Sequence, residues 1–191
     1  MYVHCQFATR GSISPRFLRC RRRGNFVTGR QIKTSAQRNP RGMNLAGYAI
    51  EGISVGGQET CIILPQLKVA FDIGRCPQRA VYQDTVFFSH CHMDHIAGIA
   101  SQVASRNMCS LKPPSLVVPS TNAAAVDRLM AAFRELDTSS LPYNLVPLDV
   151  GEEFGLPNKA YVARPFYTQH VVASQGYLIF SKKKKLKAEY Q

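Results

Sequence analysis

The sequence predicts an α/β chain in which short strands come first, a βαβα stretch follows and strands return at the end. Three observations lead there. Apolar and β-prone runs at 48–55, 60–64 and 67–71 are separated by the turn residues Gly56-Gly57 and Pro65-Gln66, the pattern of short strands. The runs 85–88 (TVFF) and 116–118 (LVV) lack the alternation of a half-exposed strand and suit strands buried on both faces. Between them, Ile96, Ile99 and Val103 recur at helical spacing.

The elements then follow in order. Residues 95–106 form the first expected helix. Pro113-Pro114 precedes the strand at 116–118, after which Ser120 or Thr121 caps a second helix whose core face is Val126, Leu129, Met130, Phe133 and Leu136. Residues 144–149, 160–167 and 176–181 are the closing strands, with Gly151 and Pro157 in their connections. No internal repeat is present.

Length and composition exclude several classes. The 191 residues are 45% hydrophobic, enough for one packed domain, and no apolar run reaches membrane-spanning length. The six cysteines contain no C-x-x-C pair and nothing reads as a disulfide framework, so a reducing compartment fits. Cys61, inside the run CIIL, reads as a small buried hydrophobe.

The formal charge of +12 is concentrated at one end. Residues 1–43 hold ten of the 24 basic residues and no acid, leaving fourteen basic against twelve acidic residues from 44 onward. A leader rich in Arg, Ser, Thr and Gly, without acids or a continuous apolar stretch, has the composition of an organelle transit peptide, chloroplast or alternatively mitochondrion. The Arg21-Arg22-Arg23 run also admits a nuclear signal or an RNA-contacting arm. The expected domain is therefore 44–191, with 1–43 outside the fold.

Chemistry concentrates in Ser89-His90-Cys91-His92-Met93-Asp94-His95, placed after a strand and before a helix. Alternate residues of an extended segment share a side, so His90 and His92 can meet one ion, while the turn into the helix brings Asp94 and His95 toward a second. Two ions about 3.5–4 Å apart clamp the attacking and leaving oxygens of a phosphodiester. His170, after the strand at 160–167, is the natural third ligand of the first ion. Asp72, ending a strand in Phe-Asp-Ile-Gly, either supports the metal loop by hydrogen bonds or caps a turn.

His-x-His-x-Asp-His resembles the signature of the metallo-β-lactamase superfamily, which includes lactamases, glyoxalases and nucleases. The flanking stretches 51–63 (EGISVGGQETCII), 71–80 (FDIGRCPQRA), 88–96 (FSHCHMDHI) and 172–177 (VASQGY) resemble plant short-form tRNase Z, from about residue 47 to 191. That resemblance implies the N-terminal half of a metallo-β-lactamase αβ/βα sandwich and a zinc-dependent endoribonuclease that cuts precursor tRNA after the discriminator nucleotide. It implies that His90, His92 and His170 bind the first zinc, that Asp94 and His95 bind the second, and that Asp94 also orients the attacking water or takes its proton. It further implies a homodimer and an arm that holds the tRNA elbow, with Lys182, Lys183, Lys184, Lys185 and Lys187 at its start and residues 182–191 as its first part.

The family's bridging aspartate and last histidine are expected beyond residue 191. In this chain alone one zinc is then expected, and two-metal activation is expected to be weak or absent. Two other readings follow: a non-catalytic chain that dimerises with or competes against an intact relative, and another hydrolase of the same fold acting on a small ester or lactam.

Overall fold

The computed structural model describes residues 42–182. Seven strands form one sheet in chain order: β1 (Met43–Leu45), β2 (Tyr48–Val55), β3 (Glu59–Leu64), β4 (Val69–Phe71), β5 (Thr85–Phe87), β6 (Ser115–Val118) and β7 (Asn144–Pro147). The first four pair antiparallel, and β4 through β7 pair parallel. Parallel neighbours need a crossover, and the helices provide it. α1 (Met93–Ile96) and α2 (Ile99–Met108) join β5 to β6, and α3 (Ser120–Asp137) joins β6 to β7. A second sheet contains β8 (Phe154–Gly155), β9 (Tyr161–Tyr167) and β10 (Gln175–Ser181) in the order β10-β9-β8. The α/β class and the βαβα centre read from the sequence are what the chain forms.

The period-two alternation of a strand divides the core into two layers. Val86, Phe88, Leu116 and Val118 face the helices and pack with Ile96, Ile99, Val103, Val126 and Met130. Val69, Phe87 and Val117 face the second sheet and pack with Leu148, Leu156 and Ala163. The adjacent phenylalanines thus serve opposite layers. Phe87 stacks on Phe71 at 5.5 Å and packs on Tyr177 of β10 at 4.7 Å between ring centroids. Helices, the seven-stranded sheet and the smaller sheet make successive layers, in keeping with the half-sandwich that the resemblance implied.

Several local expectations are corrected. The strand at 67–71 begins only at Val69, because residues 65–67 close a 3-10 turn and Lys68 takes a left-handed φ of 57°. The single helix at 95–106 is two helices that break after Ile96. Gly98 explains the break: a Cβ there would sit 2.5 Å from the Ile73 carbonyl oxygen and 2.6 Å from the Cys76 nitrogen, so only glycine admits the 73–76 backbone at that point. The same backbone is hydrogen-bonded in both directions, Ile73 N–H donating to the His95 carbonyl at 2.6 Å and Gly98 N–H to the Ile73 carbonyl at 2.8 Å.

Ser120 does not cap α3 from the position before it; Pro119 holds that position and Ser120 is the first helical residue. The cap comes from Asp149, whose carboxylate accepts the Ser120 N–H at 3.1 Å and the Ser120 hydroxyl. These bonds hold the Asp149 carboxyl below its usual range. The core stripe of α3 is narrower than expected, since Val126 and Met130 are buried but Leu129 is 39% and Leu136 81% exposed. The helix lies over β7 at the end of the sheet, where cover is limited. β1 and the two-residue β8 carry too little pattern to be read from sequence, and β1 starts one residue inside the segment set aside as leader.

One buried charge ties the helical layer together. Arg106 of α2 is 2% exposed and uses its whole fork. Its Nη1 donates to the Val81 and Gln83 carbonyls at 2.8 Å, its Nε and Nη2 donate to the Lys112 carbonyl, and Nη2 pairs with Asp84 at 2.9 Å. The cysteines Cys61, Cys76, Cys91 and Cys109 are free thiols, with Cys61 buried as expected. No helix among the described residues is long and apolar enough to cross a membrane.

Candidate metal centre

The carboxyl ends of β4, β5 and β9 open onto one region, the usual location of a site in an α/β sheet. β4 delivers Asp72, β5 delivers Ser89 and His90, and His92 is the residue just before α1. Met93, Asp94 and His95 lie in α1, and His170 lies in the loop after β9. Three imidazole nitrogens converge there: His90 Nε2 lies 3.1 Å from His92 Nδ1, and His170 Nε2 lies 3.2 Å from the same atom. The ligand atoms of His90, His92 and His170 all fall within 4.8 Å of one another.

That geometry fits a metal. Nitrogens bound at about 2.0–2.1 Å to a tetrahedral ion stand about 3.3–3.4 Å apart. Three ring nitrogens at this spacing cannot all be paired by protons, whereas a cation takes all three lone pairs. Burial pushes the His90 pKa from 6.5 down to about 4, helped by the neighbouring His95, His170 and His92. His90 is therefore neutral at physiological pH, the form a ligand needs.

This lowered pKa carries an expected outcome. The unfolded chain takes up the His90 proton before the folded one, so the contribution is complete above pH 6.5 and is lost as pH falls toward 4. In metal-free protein the urea midpoint should decline across that window, and His90→Asn should flatten part of the decline. Equal pH dependence in both proteins would contradict the assignment.

Asp94 and His95 sit beside the cluster. His95 Nε2 lies 3.6 Å from Asp94 Oδ2, and the His95 ring centroid lies 4.0 Å from that of His90. Asp94 Oδ2 accepts the Gly57 N–H at 2.8 Å, and this bond is the main cause holding the carboxyl below its usual range. Gly57 is in the β2–β3 turn with φ of 69°, which glycine adopts readily. The turn was legible in the sequence; its hydrogen bond to a residue 37 positions away was not.

Asp72 is buried behind these residues. Its Oδ1 accepts the Ser89 N–H at 2.8 Å, and its Oδ2 accepts the Ser89 hydroxyl at 2.8 Å and His95 Nδ1–H at 2.9 Å. Burial raises its pKa, while the bonds from His95 and Ser89 lower it. Of the two roles open to Asp72, support of the histidine loop is the one its contacts describe. Cys91 lies inside the motif but outside the cluster, and burial pushes its thiol up to about 11.

Two residues without an expected role join the second sheet to the loop. Gln175 N–H donates to the Ser89 carbonyl at 2.9 Å, and its side chain donates to the Leu148 carbonyl at 3.0 Å and to Tyr177 Oη at 2.8 Å. Tyr177 Oη–H donates to the Phe88 carbonyl at 2.8 Å. The strand following His170 is thereby fastened to the strand end that carries His90. Their signal was the segment VASQGY, in which nothing local marks a clamp. Lys182 is exposed, with its backbone N–H donating to the Ala160 carbonyl at 2.7 Å. Lys183, Lys184, Lys185 and Lys187, and all but the last two residues of the 1–43 leader, lie outside the described residues.

No family model matches the chain. The "tRNase Z TRZ1" of Arabidopsis thaliana is 52% identical over 148 residues, 78% of this chain and 52% of that protein. The "Nuclear ribonuclease Z" of Triticum aestivum is 51% identical over 148 residues, covering 78% of this chain and 84% of the wheat protein. The "tRNase Z TRZ2, chloroplastic" of Arabidopsis thaliana is 49% identical over 158 residues, 83% of this chain and 44% of that protein. The chain thus spans about half the length of the two Arabidopsis relatives. Among solved structures, the short form of human tRNase Z overlaps at a TM-score of 0.47 with 15% identity, covering 71% of this chain and 59% of that one. The assignment does not rest on that partial overlap. With half of its aligned residues shared across most of the wheat protein, the chain belongs to the tRNase Z (ribonuclease Z) family.

Proposed function

We propose that the chain is a zinc-dependent endoribonuclease of precursor-tRNA 3′ processing. The observation that carries this reading is the meeting of His90, His92 and His170 nitrogens in a chain 51% identical to a ribonuclease Z. These three residues would hold the first zinc, and Asp94 with His95 would reach a second. Bound zinc supplies Lewis acidity toward a phosphoryl oxygen and lowers the pKa of water.

The remaining steps belong to the chain's own groups. Asp94, kept ionised by the Gly57 N–H, orients the attacking water and accepts its proton. Asp72 holds His95 in place through the 2.9 Å bond to Nδ1. The lysines 182–185 and 187 would meet the RNA backbone through phosphate contacts, which carry no sequence preference. We also propose a homodimer as the working form, and import into the chloroplast, with the mitochondrion as alternative, on the acid-free leader.

The test uses the full chain, zinc and a precursor tRNA with a 3′ extension. The expected result is slow, zinc-dependent release of the trailer as one product, lost on chelation. Absence of that product at saturating zinc contradicts the proposal.

A further inference from the structure

We propose that Ser89 is a positioning residue that passes the charge of Asp72 on to His90, so that one buried carboxylate sets the tautomers of two imidazoles. This inference rests on reading the histidine cluster as a metal site.

The reasoning is a count of protons. Asp72, as a carboxylate, has no proton to give, so the Ser89 hydroxyl 2.8 Å away donates to it. A hydroxyl has one proton and two lone pairs. Having given its proton to Asp72, Ser89 Oγ can only accept from His90 Nδ1, which lies 2.9 Å away. His90 is then the Nδ1–H tautomer, and its Nε2, 3.1 Å from His92 Nδ1, presents a lone pair to the cluster. The same carboxylate oxygen accepts directly from His95 Nδ1–H at 2.9 Å and leaves the His95 Nε2 lone pair on the Asp94 side. Asp72 therefore acts on His95 at first hand and on His90 through Ser89. The Ser89 N–H on Asp72 Oδ1 at 2.8 Å holds the relay in register. A ring oriented this way is also a more basic ligand, because donating the Nδ1–H pushes electron density through the ring onto Nε2.

Ser89→Ala removes the relay, and Ser89→Thr keeps the hydroxyl. Two readouts apply to the full chain. In metal-free protein, 15N NMR reports which His90 nitrogen carries the proton: Nδ1 in the wild type and Ser89→Thr, a mixture in Ser89→Ala. Titration with zinc alone against a chelator should show Ser89→Ala binding roughly 10–100-fold more weakly, with Ser89→Thr near wild type. If Ser89→Ala does not fold, Ser89→Cys carries the same comparison, since a thiol hydrogen-bonds weakly. A wild type that binds no zinc defeats the site reading, and the tautomer readout still decides the role of Ser89. Zinc bound equally by wild type and Ser89→Ala, with His90 unchanged in tautomer, overturns the proposal.

Discussion

Replacing His92 with alanine should abolish stoichiometric zinc binding while leaving the chain folded. His92 Nδ1 is the atom both other imidazoles approach, at 3.1 and 3.2 Å, so its removal opens the middle of the cluster. Loss of a hydrogen-bonding partner behind a ligand costs about 10–100-fold in metal affinity, and loss of a ligand itself should exceed that. The side chain is only half-buried and sits in a loop, so the unfolding midpoint of the metal-free protein should move little. Zinc content by elemental analysis after dialysis, together with urea unfolding of the apo form, checks both halves. Unchanged zinc content would show that His92 is not a ligand.

The largest effect on stability should come from Arg106→Ala. The fork of this side chain satisfies the carbonyls of Val81, Gln83 and Lys112 and pairs with Asp84, linking α2 to the segments before β5 and before β6. Truncation strips several acceptors of their donor at once, each costing of order 1–3 kcal/mol when buried. A net loss of about 3–5 kcal/mol follows, roughly 10 °C in melting temperature for a chain of this size. Arg106→Lys should recover little, because a lysine ammonium cannot reproduce the planar fork. A melting temperature within about 2 °C of wild type would contradict this account of the buried guanidinium.

How much of this was legible in the sequence depended on how local each signal was. The ligand motif spans six residues from His90 to His95, and its position between a strand and a helix is set by the TVFF run before it and Ile96, Ile99 and Val103 after it. The opposite duties of Phe87 and Phe88 follow from strand alternation alone. His170 could be named only as a downstream histidine after a strand; the structure shows the Gln175 and Tyr177 bonds that fasten its sheet to the His90 loop.

What the sequence hid was tertiary. The break between α1 and α2 is imposed by backbone from residues 73–76 passing against Gly98, and no helical periodicity records that approach. Capping of α3 looked like a task for Ser120 or Thr121, yet the carboxylate comes from Asp149, 29 residues on. Nothing local in the sequence marks Arg106, at the end of the expected helix 95–106, as buried, since cations are common near helix C-termini on exposed faces. Ser89 stands in the motif without a role of its own in the sequence, because its partner Asp72 is 17 residues away.

The convergence of His90, His92 and His170 on one cation is tested most directly by zinc-edge X-ray absorption on the full chain loaded with one equivalent of zinc. A shell of nitrogen and oxygen at about 2.0–2.1 Å is expected, with outer-shell scattering from three imidazole rings and none from sulfur. A sulfur shell near 2.3 Å, or fewer than three imidazoles, would contradict it.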